Sequence, residues 1–269
     1  MFTGTDFSYN GILASSFGLL VVNVGSKDSD RPFGLQREIR ETSRIDGKNS
    51  YHGLSNEPLE FTITLAREEE WDLATRKDVV KWLFQNNYKE LIDTDHPTVI
   101  YNALIYSDSE IFTVGNIPRY ITLNIRTDAA WGWTQSYEYE HDCDTTLDIQ
   151  ITNLTNLNMP VYTEVEVTLE SGNSFEIQFD TDKVFKFMNA TYGGDTYTLV
   201  IGETIYVNND KKIILSDQTG SEDKRIKNFI KSDATKERSD WFYLTDGVND
   251  ITLIGNATFI IRVKYPVMI

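Results

Sequence analysis

Apolar positions along this chain recur mostly with a period of two. Leu59, Phe61, Ile63 and Leu65 alternate with Glu60, Thr62 and Thr64, the pattern of a strand with one face buried and one in water. The same alternation predicts strands at Ile121, Leu123 and Ile125, at Val165, Val167 and Leu169, at Phe175, Ile177 and Phe179, and at Phe259, Ile261, Val263 and Tyr265. Short apolar runs at 88–92 and 99–106 and the β-branched run Phe17–Val24 add further strands. One stretch has helical spacing: Val79, Val80, Leu83 and Phe84, with Thr75 and Asp78 placed as a capping box and Asn86-Asn87 as the stop.

Between the strands at 17–24 and 59–65 lies a polar excursion, 25–58. In it Arg31, Arg37, Arg40 and Arg44 are interleaved with Asp28, Asp30, Glu38, Glu41 and Asp46. So long a stretch with little apolar content is uncommon in a compact domain unless it is a functional arm. The pattern changes at 127–133. Beyond it, turn signals at Ser171-Gly-Asn, Gly193-Gly194, Asn208-Asn-Asp210, Asp246-Gly and Gly255-Asn separate strands at sandwich spacing, with no helical periodicity before the charged stretch 221–240. The expected fold class is mainly β. An N-terminal α+β domain, a sheet or barrel with one helix, spans 1–133, and a C-terminal antiparallel β-sandwich or jelly roll spans 134–269.

Length and charge narrow the function classes. The 269 residues carry 41 Asp+Glu against 25 Lys+Arg, a net charge of −16, and the second half is the more acidic. That balance argues against gripping nucleic acid by its phosphates, which needs clustered cations, but not against letting nucleic acid pass. A single cysteine, Cys143, forbids an internal disulfide and a cysteine-based zinc site. No apolar run reaches 18 residues, so membrane insertion is not expected. The N-terminus has the early Asp6 and no basic segment leading into an apolar core, and reads as a chain without a secretory signal that folds in the cytosol.

Catalytic motifs are absent: no Gly-x-Ser-x-Gly, no phosphate-binding Gly-x4-Gly-Lys-Ser/Thr, no His-Glu-x-x-His and no EF-hand loop. His52, His96 and His141 lie in unrelated contexts. His141 and Cys143 could pair on one strand face, yet Glu138, Glu140, Asp142 and Asp144 would raise the thiol pKa and oppose activation. The run Glu138–Asp144 reads either as a calcium-binding cluster or as a solvated charged strand, and it lacks the Gly and Asn of a dedicated calcium loop. Trp131, Trp133, Tyr137 and Tyr139 could stack on a sugar ring or form an apolar junction. No cofactor and no catalytic residue is expected, and a hydrolase built on two sandwich carboxylates is the weakest of the classes considered.

The order of features carries a resemblance. After the strand at 17–24 and the Arg-bearing excursion with Ser43-Arg-Ile-Asp-Gly47 come the strand at 59–65 and the helix ending Val80-Lys-Trp-Leu83. Then follow Tyr88-Lys-Glu-Leu91, Asp95-His-Pro-Thr-Val-Ile-Tyr-Asn-Ala103 and Trp131-Gly-Trp133. The closing segments 202–213, 241–255 and 259–265 continue the order. The whole succession resembles the distal tail (Dit) family of bacteriophages with long non-contractile tails.

The resemblance implies a non-enzymatic virion protein of the tail tip or baseplate, assembled in the host cytoplasm. It implies a homohexameric ring joining the tail tube protein to the tail-tip hub, with DNA passing through the lumen. The excursion would be a belt reaching the neighbouring subunit, with Arg31, Arg37, Arg40 and Arg44 pairing across the boundary and acidic groups lining the lumen. The C-terminal sandwich, galectin-like in relatives, would be a platform for a receptor-binding protein or a host saccharide. The alternative is a carbohydrate-binding protein acting through that sandwich, with Trp131 and Trp133 as stacking rings.

Overall fold

The computed structural model describes residues 6–22, 37–43, 49–67, 69, 71–114, 117–180, 182–218, 225–229 and 239–268. The chain divides into two compact units, residues 1–135 with 267–269, and residues 136–266. The domain expected at 134–269 thus gives up its last residues, which return to the first unit. Of the described residues, most are strand.

The first unit contains β1 (Phe7–Tyr9), β2 (Ile12–Leu13), β3 (Leu19–Val21), β4 (Arg37–Ser43), β5 (Asn49–Asn56) and β6 (Glu60–Arg67). These are followed by α1 (Leu73–Leu83), β7 (Lys89–Asp93), β8 (Ile100–Val114), β9 (Ile117–Thr127) and β10 (Gly132–Trp133). Antiparallel pairing gives the order β2-β1-β7-β8-β9-β6-β3, and β10 pairs with β8. The period-two pattern becomes the core: Ile63 and Leu65 on β6 and Ile121, Leu123 and Ile125 on β9 are buried. The strand expected at 17–24 starts later, because a 3-10 turn, Ala14–Phe17, closes on Gly18 in the left-handed region at φ 66° and β3 follows it; positions 23 and 24 of that expectation lie outside the described residues. Phe17 instead stacks on Trp82, ring centroids 4.9 Å apart.

Helix α1 begins earlier than its sequence pattern suggests. The cap is Asp72, not Thr75: its carboxylate accepts the Thr75 backbone N–H and the Thr75 hydroxyl, each at 2.8 Å. The buried face is also rotated. Val79, Trp82 and Leu83 point inward, whereas Val80 and Phe84, read as core positions, are exposed. Trp82 decides the rotation, since its indole N–H donates to the Tyr9 carbonyl at 2.7 Å and its ring stacks on Phe7 as well as Phe17. An indole buries more apolar area than a valine, and its polar tip needs a partner.

The second unit contains β11 (Tyr137–Cys143), β12 (Thr146–Asn153), β13 (Val161–Tyr162), β14 (Glu164–Phe179), β15 (Lys183–Met188), β16 (Ala190–Tyr192) and β17 (Asp195–Tyr197). After these come β18 (Thr204–Asn208), β19 (Ile213–Ser216), β20 (Tyr243–Leu244) and β21 (Gly247–Val263); β22 (Pro266–Val267) leads back to β10. Two turn signals proved to be bends inside single strands. Ser171–Asn173 lies within the 16-residue β14 and Gly255-Asn256 within the 17-residue β21, and the β14–β21 register shifts at that place. On one side of the bend the pair is flanked by β11 and β18, on the other by β12 and β15. One sheet thereby folds over itself, and its inner faces meet where Phe175 packs edge-on against Phe259 and stacks on Phe187.

Around this core a buried ion pair ties Arg225 to Glu203, ahead of β18. The Arg225 guanidinium donates to both oxygens of Glu203 (Nη2 to Oε2, 2.8 Å), and Glu203 also accepts from Ser216 Oγ and the Val200 N–H. No charge pattern in the sequence distinguished these two residues from their many exposed counterparts.

Two predictions follow from the bend and from the cap. Gly255 sits at φ 122°, and a Cβ there would meet the Ser174 carbonyl oxygen at 3.0 Å. Gly255→Ala is expected to cost about 1–3 kcal/mol, read as a lower urea midpoint with the slope unchanged. For Asp72, the Thr75 N–H and hydroxyl hold the carboxyl below its ordinary 3.8. A depressed pKa gives stability that is full above the unfolded value and is lost as pH falls through the folded one. The difference in Tm between wild type and Asp72→Ala is therefore largest near neutrality and narrows at about pH 3.

Candidate assembly surfaces

The excursion 25–58 contains a two-stranded antiparallel sheet, β4–β5, that pairs with no other described strand. Its register places Ile39 opposite Leu54, Arg40 opposite Gly53 and Glu41 opposite Tyr51, with one irregularity between Arg40 and Glu41. Opposed residues share a face in such a ladder. One face therefore carries Ile39, Glu41 and Tyr51, and the other Glu38, Arg40, Thr42, Ser50 and Ser55. The polar face is internally bonded: Arg40 Nη2 donates to Ser55 Oγ at 2.9 Å, and His52 Nε2 lies 2.9 Å from Thr42 Oγ1. The apolar face is not covered, for Ile39 is 61% and Tyr51 64% exposed.

Of the four arginines expected to act in the arm, Arg40 is exposed and held by Ser55, and Arg37 lies at the start of β4. Arg31 and Arg44 fall outside the described residues, as do 25–36 and 44–48 of the belt. Sequence reasoning missed Ile39 and Tyr51. Their signal was available, since each is a large apolar residue in a mostly polar stretch.

The aromatic cluster is divided between the units. Trp131 and Trp133 are half-buried in the first and meet edge-on, centroids 6.1 Å apart, and their buried indole N–H groups find no acceptor among the described residues. Tyr137 packs edge-on against Tyr265, and the Tyr139 and Tyr265 hydroxyls lie 3.2 Å apart. Burial and then the Tyr139 contact push the Tyr265 phenol well above its ordinary value.

Of the acidic run 138–144, Glu138, Glu140 and Asp142 alternate along β11 on the outward face of the folded sheet. There Arg262 serves two carboxylates, Glu138 and Glu166, each at 2.6 Å, and those bonds hold its guanidinium above its ordinary pKa. Further along, the Thr258 hydroxyl lies 2.8 Å from Asp142 and 3.0 Å from Glu170. Among the described residues no group of three or more His, Cys, Asp or Glu is arranged to hold a metal ion. Cys143 is buried, which pushes its thiol up, and Asp144 adds to the effect.

Residues 2–129 match the family described as phage tail protein N-terminal domain. Over 97% of its length the chain is similar to 98% of Dit (gp 19.1) of phage SPP1, described as a paradigm of hub adsorption apparatus in Gram-positive infecting phages, with a TM-score of 0.66 at 13% identity. The chain has the fold of a phage distal tail protein. Two further alignments are to chains from structures of the phage P2 baseplate in its activated conformation. With Ca the alignment covers 97% of both chains (TM-score 0.48, 9% identity), and with Sr 96% of both (TM-score 0.47, 10% identity). No curated protein matches in sequence.

Within this distal-tail fold Arg262 is the central cation of the outward acidic face, register-paired with both Glu138 and Glu164. Arg262→Gln is expected to cost about 1 kcal/mol or less at low ionic strength. The cost should shrink as NaCl is raised and the released carboxylate repulsion is screened, measured by chemical denaturation at two salt concentrations.

Proposed function

We propose that the chain is a structural protein of a phage tail tip that closes into a homohexameric ring between the tail tube and the tail-tip hub. The observation that carries this reading is the β4–β5 hairpin: a two-stranded sheet, paired with nothing else described, that leaves Ile39 and Tyr51 in water. Such a hairpin is marginal alone and gains order by packing on another surface. A projecting arm and a receiving patch on the same chain make a head-to-tail contact, which generates a ring when its rotation closes. The match of residues 2–129 to a phage tail domain and the Dit fold support the same reading.

In this proposal Arg37 and Arg40 lie at the subunit boundary, and DNA passes through the lumen without being held, because a chain of net charge −16 repels phosphate. The expected result is a multimer by light scattering and a particle with a central hole by negative-stain microscopy. A monomer at every concentration and salt would remove the ring. Arg37→Glu with Arg40→Glu is expected to release subunits, and an unchanged multimer would take the two arginines out of the boundary.

A further inference from the structure

Helix α1 carries a second uncovered apolar surface. Leu73, Val80 and Phe84 are 69%, 52% and 43% exposed. Spaced by seven and then four residues, they fall in one stripe along the helix. Arg76, Lys77 and Lys81 border that stripe, all exposed and without an ion pair among the described residues, while Asp78 is turned away by roughly 140° from Leu73. In a chain of net charge −16 this is an apolar strip with a cationic rim.

We infer that this stripe of α1 receives the apolar face of the β4–β5 hairpin from a second copy of the chain. The inference rests on the reading of the hairpin as an inter-subunit arm and names the surface on which it lands. Ile39 and Tyr51 would lie against Val80 and Phe84. Glu41, the register partner of Tyr51, would bring a carboxylate to the rim formed by Arg76, Lys77 and Lys81. Within one copy the two surfaces do not cover each other, since all five apolar side chains are exposed. A polar hairpin with one apolar face complements a helix with one apolar, cation-bordered stripe. A single chain bearing both halves of such a contact can supply its own partner, as a heterologous ring requires.

The test uses full-length protein. Tyr51→Cys chains are mixed with Val80→Cys chains under mild oxidation, the native Cys143 being buried with its thiol pushed up and so out of exchange. A reducible covalent dimer formed in the mixture and in neither variant alone is the expected result. In parallel, the pair Val80→Asp with Phe84→Asp, both at exposed positions, should reduce the light-scattering mass of the multimer towards that of one chain. Where the wild type is a multimer, a Val80→Asp, Phe84→Asp variant that remains one, with no cross-link in the cysteine mixture, overturns the α1 surface and leaves the ring standing. Loss of the multimer on Tyr51→Asp but not on the α1 pair means that the hairpin docks elsewhere on its partner, and likewise overturns the inference. A wild-type protein that is monomeric throughout removes the ring itself, and this contact with it.

Discussion

A chain that is mostly strand has to cover two faces and two edges of every sheet it makes, because exposed apolar faces and open edges invite further pairing. In the first unit α1 lies on the sheet through Trp82, whose ring is held between Phe7 and Phe17 and whose N–H is satisfied by Tyr9. In the second unit no described α-helix serves. There the sheet covers itself, and the bend at Ser171–Asn173 and Gly255 makes this possible: both long strands change direction at one register position, so their inner faces close on a phenylalanine core. A Cβ at Gly255 would intrude on Ser174 and Phe175, so the bend depends on the missing side chain.

The β4–β5 hairpin is where the constraint is left unmet within one copy. Its polar face is knit together by Arg40–Ser55 and Thr42–His52, which holds the ladder without covering the other side. A surface of this kind has low local stability until something packs on it. Whatever binds it raises the stability of the hairpin through the same contact. For a hairpin of this kind, folding and binding would be one equilibrium, and strand register would bear on what it can bind, since a slip by one residue would exchange Ile39 and Tyr51 for Glu38 and Ser50.

The period-two segments were legible because burial of one face is written directly into alternation: Ile63, Leu65, Ile121, Leu123, Ile125, Val165, Val167 and Leu169 all lie where the pattern puts them. The helix was legible in type but not in rotation. Val80 and Phe84 satisfy helical spacing as well as Val79 and Leu83 do, and only tertiary contacts make Trp82 the inward residue. Bends were read as turns at 171–173 and 255–256 because Gly and Asn favour positive φ in both settings, and only the partner strand tells a bulge from a reversal. The hairpin was hidden for another reason. Its alternation is apolar on a face that the single chain leaves in water, so the stretch reads as a solvated excursion in which arginines draw the eye before Ile39 and Tyr51.

Charge limits how such a chain can associate. Copies of net charge −16 repel as they come close, so the drive for any association of copies has to come from apolar burial and from groups close to the contact. At physiological ionic strength the Debye length is about 8 Å, so the carboxylates on the outward sheet face of the second unit act mainly on their own surroundings. What counts is the sign of charge at the contact itself. Around the α1 stripe that sign is positive, the reverse of the chain as a whole, and the anion placed to meet it is Glu41 on the apolar face of the hairpin. An arm landing there would lose little to the repulsion that keeps the rest of the surfaces apart. The same repulsion would then favour specificity wherever acidic faces are brought together.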